Sequence, residues 1–190
     1  MSIEKTYIDA QQLLVDSYEL GLQVLESDFV PNYIVGVWRG GAPVGIAIQE
    51  LLSYCGVKTD HIAIRTSHYT GLNQTADSVL VHGLHYLIEN LNADDQVLIV
   101  DDVFDSGRSI QQIISELKTK CRRNTPTFRV ATPYFKPANN QTDLLPDFYL
   151  HTTEDWLVFP HELDGLSEEE ILRDKPGIAE IRDRIVAAKG

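Results

Sequence analysis

The feature that most constrains the fold is an apolar run that ends in acids, in the segment "VLIVDDVFDSGRS". The four residues of Val97–Val100 have the length and composition of a buried strand. Asp101, Asp102 and Asp105 follow at once, and a short polar turn then opens a helical pattern. Burying carboxylates is costly unless something compensates their charge. The segment therefore predicts a strand, turn and helix with a ligand at the strand's carboxyl end.

Apolar periodicity repeats this order along the chain. Strands are predicted at 33–37, 61–64, 96–100 and 128–135. Helices are predicted at 9–26, after residue 41, at 82–91 and at 109–120, the first with the stripe Leu14, Tyr18, Leu22 and Leu25. Alternating strands and helices favour an α/β fold, with a parallel sheet flanked by helices on both faces.

Composition excludes several function classes. The 190 residues suit one domain, and the net charge of −12 argues against a nucleic-acid-binding face. No apolar run is long enough for a membrane span, and the start lacks the pattern of a secretion signal. Cys55 and Cys121 have no paired spacing, and the six histidines show no zinc-site spacing. We expect a cytoplasmic protein with no membrane partner.

The turn after the acids has the chemistry of an anion site, because main-chain N–H groups and a helix N-terminus attract phosphate. Glycine permits the turn, two hydroxyls donate, and arginine adds charge, in Ser106, Gly107, Arg108 and Ser109. Asp101 and Asp102 could accept hydrogen bonds from sugar hydroxyls or bind hydrated Mg²⁺.

Three other interpretations of the acids compete. A Mg²⁺-dependent nucleotide hydrolase is disfavoured because no GxxxxGK[ST] loop is present. A receiver-type acidic pocket usually follows the first strand of a shorter chain. A helix cap explains one acid but not three acids beside this turn.

A second glycine turn lies in "VGVWRGGAP", where Arg39 precedes Gly40 and Gly41. Two glycines let the main chain approach an anion closely, and arginine supplies the positive charge. The carboxyl ends of parallel strands share one sheet edge, so both turns are expected there.

The stretch from Val97 to Ser109 closely resembles the ribose-phosphate signature of the type I phosphoribosyltransferases. The resemblance implies one domain over 1–190, with a core at about 30–135 and a small hood from about 136–175 plus the N-terminal helix. It implies that the acids Asp101 and Asp102 bind ribose and Mg²⁺, that the turn binds the 5′-phosphate, and that Asp105 is catalytic. Residues 39–41 resemble the pyrophosphate loop, in which a cis peptide is common, here at Trp38–Arg39.

Two further segments, "YFKPA" and "EDWLVFPHE", resemble the base pocket of the 6-oxopurine branch. By this resemblance Lys136 donates to the purine 6-oxygen, Trp156 stacks on the ring, and Leu157 offers main-chain groups. Glu162 falls where these enzymes place an acid near a second metal.

Residues 66–80 are polar and are expected to form a long loop. The family has a lid here with a Ser-Tyr pair, which implies that Ser67 and Tyr69 cover the site, although His68 separates them.

The implied reaction moves 5-phosphoribose from phosphoribosyl pyrophosphate to hypoxanthine, guanine or xanthine, with Mg²⁺, in a homodimer or homotetramer. Two alternatives stay open: a regulatory protein of the same fold that senses nucleotides or phosphoribosyl pyrophosphate, and a pyrimidine phosphoribosyltransferase.

Overall fold

The computed structural model describes residues 5–69, 78–178 and 180–188. Its strands are β1 (Lys5–Tyr7), β2 (Tyr33–Trp38), β3 (Asp60–Tyr69), β4 (Ser78–His82), β5 (Gln96–Val100), β6 (Val103–Phe104), β7 (Thr127–Phe135), β8 (Phe148–Thr152) and β9 (Trp156–Val158). Its helices are α1 (Ala10–Glu26), α2 (Gly41–Tyr54), α3 (His85–Asn90), α4 (Arg108–Cys121), α5 (Glu168–Asp174) and α6 (Arg182–Ala188).

The central sheet has the strand order β4-β3-β2-β5-β7-β6, and β8 pairs with β7 on its other side. Every pairing in it is parallel except the antiparallel pair β3–β4. The strand order reverses at β2: strands β3 and β4 lie on one side of it, and β5 and the later strands lie on the other. Ligands of open parallel sheets bind at such a switch point, beyond the carboxyl ends of the strands. The predicted α/β fold is confirmed.

Alternation along the strands sends side chains to two covered faces. On one face Val35, Val37 and Ile99 pack with α3 and α4 in a buried apolar cluster. On the other face α2 lies close to the sheet, because a Cβ at Gly45 would be only 3.7 Å from the Cα of Gly36. Helices on both faces explain why strands β2 and β5 read as continuous apolar runs.

Helix α1 forms as predicted, but its predicted stripe is not its buried face. Leu14, Tyr18 and Leu22 are each 39% exposed. The buried side of α1 consists of Leu13, Asp16, Ser17, Leu20, Gly21 and Val24. Two polar residues lie on this side because each has a partner: Asp16 bonds His151 at 2.9 Å, and the Ser17 hydroxyl donates to the Leu13 carbonyl. The buried face of α1 is therefore decided by packing and hydrogen-bond partners, and not by the apolar periodicity of the helix alone.

The loop predicted at 66–80 is wrong at both ends. Residues 66–69 belong to β3 and residues 78–80 to β4, which pair antiparallel. Residues 70–77 lie outside the described residues. The short strands β1 and β6 are also absent from the sequence prediction, because three and two residues carry too little periodicity.

Two compact units divide the chain: Leu13–Glu154, and Met1–Gln12 together with Asp155–Gly190. In the smaller unit β1 pairs in parallel with β9. Strand β8 pairs with β7 and belongs to the larger unit. The assignment of a hood stays a prediction. No helix within the described ranges is long and apolar enough to span a membrane.

Candidate active site

The glycine turn after β2 meets the end of β5 at the switch point of the sheet. A Cβ at Gly40 would lie 1.7 Å from the Asp102 carboxylate, and one at Gly41 would lie 2.2 Å from the Val100 carbonyl oxygen. Both positions therefore need glycine for space. The peptide bond Trp38–Arg39 is cis, as the resemblance implied.

Asp101 lies under this contact and is partly buried. Burial, and after it the charge of Asp102, raise the pKa of Asp101 well above its ordinary value. The N–H groups of Asp102 and Gly41 donate to its carboxylate and oppose that rise. Two adjacent carboxylates with one destabilised charge form a site that a cation would stabilise.

The turn after β6 leaves the N-terminus of α4 open. Gly107 has φ = +74° and caps the helix without a side-chain hydrogen bond, and the first turn of α4 holds no acid. The first N–H groups of a helix have no intrahelical partner, so they can bind an anion. A small cavity of about 70 Å³ lies here, lined by Asp101, Val103, Phe104, Asp105, Ser106, Gly107, Ser109 and Ile110.

The hydroxyl groups at this turn have neighbours in the larger unit. The Oγ of Ser109 lies 3.5 Å from Oγ1 of Thr66, which is on β3. The Ser106 carbonyl accepts the N–H of Gln141, so the 138–141 segment closes one side of the turn. Arg108 is exposed at the start of α4. The predicted phosphate-binding turn therefore forms a pocket whose hydrogen-bond donors are main-chain N–H groups and hydroxyls.

Asp105 stands beside Lys136 because β6 pairs with the end of β7, with Phe104 opposite Phe135. The Lys136 N–H donates to the Phe104 carbonyl at 2.9 Å. Its Nζ lies 3.8 Å from one Asp105 oxygen, and the Lys136 residue is only 8% exposed. The other Asp105 oxygen accepts a hydrogen bond of 2.8 Å from the side-chain amide of Asn139.

Asn139 and Thr66 lie at the site but are not among the residues that the sequence predicts there. Asn139 follows Lys136 closely in "KPANN", but an asparagine in a polar loop has many roles, and nothing in its spacing indicates Asp105 as its partner. Thr66 reaches Ser109 only because β3 extends further than predicted. Both contacts join segments that are far apart in the chain.

The predicted lid residues lie on β3. The Ser67 hydroxyl is 3.1 Å from Nε2 of His82, across the β3–β4 pair. Tyr69 ends the strand, and its side chain lies outside the described residues. Their role in covering the site stays a prediction.

The remaining predicted residues belong to the smaller unit. Trp156 is 56% exposed on β9 and pairs with Lys5, whereas Leu157 is buried. The Glu162 carboxylate accepts the N–H of Phe159 at 3.0 Å. Among the described residues, no three His, Cys, Asp or Glu form a cluster that could hold a metal. Any metal bound through Asp101 and Asp102 would need substrate oxygens or water as further ligands.

The family model of the Phosphoribosyl transferase domain matches residues 5–165, which are most of the chain. The chain belongs to the phosphoribosyltransferase family. The family inferred from the Val97–Ser109 signature is thereby confirmed.

Several members of the family are similar along most of this phosphoribosyltransferase. The hypoxanthine-guanine phosphoribosyltransferase of Lactococcus lactis is 22% identical over 188 residues, which cover 97% of this chain and 94% of that protein. A purine phosphoribosyltransferase structure from Pyrococcus horikoshii is 25% identical, with a TM-score of 0.67, and covers 87% of this chain and 98% of its own.

A third similar structure is a hypothetical protein from Neisseria gonorrhoeae with bound ppGpp. It is 17% identical, has a TM-score of 0.70, and covers 100% of this chain and 99% of its own. At this identity the likeness concerns the fold.

Proposed function

We propose that this phosphoribosyltransferase transfers the 5-phosphoribosyl group of phosphoribosyl pyrophosphate to a 6-oxopurine. The products are a nucleoside 5′-monophosphate and pyrophosphate. The observation that carries the proposal is the Asp105–Lys136 pair beside the phosphate turn, because it adds a purine-matching donor to a ribose-phosphate site. The Lactococcus and Pyrococcus relatives support the purine class, since their names specify purine substrates.

The 5′-phosphate binds at the Ser106–Ser109 turn, where the N-terminus of α4 and the hydroxyls donate to its oxygens. This contact is remote from the reacting carbon, so its binding energy orients the sugar. Asp101 and Asp102 receive the ribose hydroxyls at the end of β5. The small cavity at the turn is consistent with a single phosphate group.

Mg²⁺ is the expected cofactor, and the residues present suit it. Asp101 carries a charge that burial and Asp102 destabilise, and the glycine at position 40 leaves the Asp102 carboxylate room beside the turn. Asp101 and Asp102 would hold the ion together with substrate oxygens. The ion would neutralise the charge that develops on the departing pyrophosphate.

The leaving pyrophosphate lies along the 39–41 turn. Arg39 supplies a permanent positive charge, and the main chain of Gly40 and Gly41 allows close approach. Breaking the C1′–O bond places positive charge on the sugar and negative charge on the leaving group. An arginine at the leaving-group side therefore stabilises the transition state more than the ground state.

Two side chains of the larger unit recognise the base. Lys136 donates to the purine 6-oxygen, and Asp105 accepts or shares the proton on the purine imidazole nitrogen. Asn139 and Lys136 hold the two Asp105 oxygens, which orients the carboxylate. By the same family resemblance, Trp156 stacks on the purine ring and Leu157 contributes main-chain groups.

Ser67 and Tyr69 cover the reacting centre in this proposal. A covered site protects the cationic sugar from water. Metal binding by Glu162 and a homodimeric or homotetrameric assembly stay predictions.

The test is a direct assay of the whole chain with Mg²⁺ and phosphoribosyl pyrophosphate. Hypoxanthine, guanine, xanthine, adenine, uracil and orotate are supplied one at a time, and nucleotide and pyrophosphate are measured. We expect product with at least one of the first three bases and none with the others. Asp105→Asn should lower kcat by about 100-fold while the KM for phosphoribosyl pyrophosphate stays unchanged. Product with uracil or orotate alone would contradict the purine assignment.

A second candidate is a protein that binds nucleotides without converting a base. The gonococcal structure with bound ppGpp, which aligns with the whole chain, favours it. Calorimetry with ppGpp, performed beside the base assay, separates the two functions. Tight ppGpp binding with no product from any base would support a sensor and contradict the transferase.

A further inference from the structure

The main-chain N–H and carbonyl groups of Phe159 both bind charged side chains. Its N–H donates to Oε2 of Glu162 at 3.0 Å. Its carbonyl accepts hydrogen bonds from Nζ of Lys175 and from the N–H of Glu162. The two main-chain groups of this residue thus bind a carboxylate and an ammonium, both of which otherwise favour solvent.

Lys175 is an unusual residue to find here, because it is only 8% exposed. Burial lowers the pKa of Lys175, and the charge of Glu162 opposes that shift. Fully burying an ammonium group is costly, so a buried lysine needs a specific partner. Its hydrogen bond to the Phe159 carbonyl supplies that partner.

The clamped residue follows β9 directly. Val158 and Phe159 are each 2% exposed, and the Val158 carbonyl accepts the N–H of Ile8 at 2.9 Å. Val158 also packs against Leu166 and Ile171. The segment 156–159 is therefore fixed by β1 along its length and by Lys175 and Glu162 at its end.

Lys175 is itself placed by a well-anchored helix. Ser167 and Glu170 form a capping box at the start of α5. Oε1 of Glu170 also accepts a 2.6 Å hydrogen bond from Lys5 on β1. The Lys175 N–H donates to the Ile171 carbonyl and closes the helix. Helix α5 therefore fixes the position of Lys175.

We propose that Lys175 and Glu162 are positioning residues for base recognition. By fixing the main chain at Phe159, they hold strand β9 in place and so determine the positions of Trp156 and Leu157. Neither residue touches the base in this scheme. The inference rests on the proposed function, since it assigns Trp156 and Leu157 to the base, and it gives helix α5 a role in base binding.

The test compares steady-state constants of the full-length wild type with those of Lys175→Met, which keeps the length of the side chain and removes the donor. We expect the KM for the purine to rise by about tenfold, because small displacements of positioning groups are costly. The KM for phosphoribosyl pyrophosphate should stay within about twofold, since its binding groups lie in Leu13–Glu154. Lys175→Arg, which retains a donor, should recover part of the loss.

Arg173→Met is the matched control. It removes the same charge two residues away, from a side chain that is 72% exposed, and should leave both KM values unchanged. If Lys175→Met does not fold, Glu162→Ala provides the same comparison, because it removes the acceptor of the Phe159 N–H. An unchanged purine KM, or an equal rise in both KM values, would overturn the inference. A wild type that converts no purine would instead overturn the proposed function.

Discussion

The turns after β2 and after β6 both lead into helices, but they need glycine for different reasons. At the end of β2, Gly40 and Gly41 are needed for space, because Asp102 and the Val100 carbonyl occupy the positions where a Cβ would lie. In the turn after β6, Gly107 adopts φ = +74°, a conformation that side chains disfavour. The first turn is limited by neighbouring atoms alone, whereas the second is limited by its own backbone as well as by Thr142 and Phe104, which would lie 2.6 and 2.8 Å from a Cβ.

Glycine is therefore required in these turns for more than one physical reason. Substitution at the end of β2 disturbs the end of β5, whereas substitution at Gly107 strains the backbone of that residue and crowds Thr142 and Phe104. The two classes should separate in measurements of stability and activity.

Gly41→Ala should have the largest effect, a loss of about 3 kcal/mol in the free energy of unfolding. Its Cβ would lie 2.2 Å from the Val100 oxygen and 2.8 Å from the Cα of Asp101, and main-chain atoms cannot rotate away. Urea unfolding measures the loss. Gly177→Ala is the control, because nothing lies within 4 Å of a Cβ there. Equal stability of the two variants would disprove the close approach of the turns.

Gly40→Ala should mainly affect activity. The group in its way is the Asp102 side chain, 1.7 Å from the added carbon, and a side chain can change rotamer. We expect kcat/KM to fall by about 100-fold, because Asp102 leaves its place beside the ribose. The free energy of unfolding should fall by less than in Gly41→Ala. Retained activity would show that the position of Asp102 is unimportant.

Gly107→Ala should cost about 2 kcal/mol of stability, mostly from forcing a side chain into the left-handed region. The added carbon would also lie 2.6 Å from Oγ1 of Thr142. The KM for phosphoribosyl pyrophosphate should rise, since the 5′-phosphate turn is distorted. Combining it with Thr142→Ala gives a double-mutant cycle for the contact. Full recovery in the double variant would show that contact, not conformation, selects glycine here.

Asp101→Asn should have the smallest effect and the opposite sign. The folded-state pKa of Asp101 is raised, so its ionised form destabilises the fold when pH exceeds that pKa. Without Mg²⁺ at neutral pH, the variant should be more stable by roughly 1 kcal/mol. This gain should shrink as pH falls below the folded-state pKa and vanish below the unfolded-state pKa, where Asp101 is protonated in both states.

Added Mg²⁺ provides a second measurement on the same pair of proteins. It should stabilise the wild type more than Asp101→Asn, because the variant has one fewer carboxylate for the ion. Thermal unfolding with and without Mg²⁺ records the difference. An Asp101→Asn variant less stable than wild type at neutral pH would contradict the assigned burial cost.

Sequence reasoning succeeded where a property depends on neighbouring residues. The strand Val97–Val100, the turn at Gly107 and the start of α4 follow from local apolarity and turn chemistry. It failed at α1, where the apolar stripe of Leu14, Tyr18 and Leu22 is exposed. It also missed the extension of β3, because polar residues in a hairpin resemble a loop.

The sequence alone determined the family, the α/β order and the identity of the acids and the two glycine turns, since these are encoded in continuous segments. Only the tertiary structure decided that Gly40 makes room for Asp102, that Asn139 binds Asp105, and that Lys175 reaches the Phe159 carbonyl. The physical reason is that these contacts join distant segments. Their distances depend on strand register and helix packing, which no local pattern specifies.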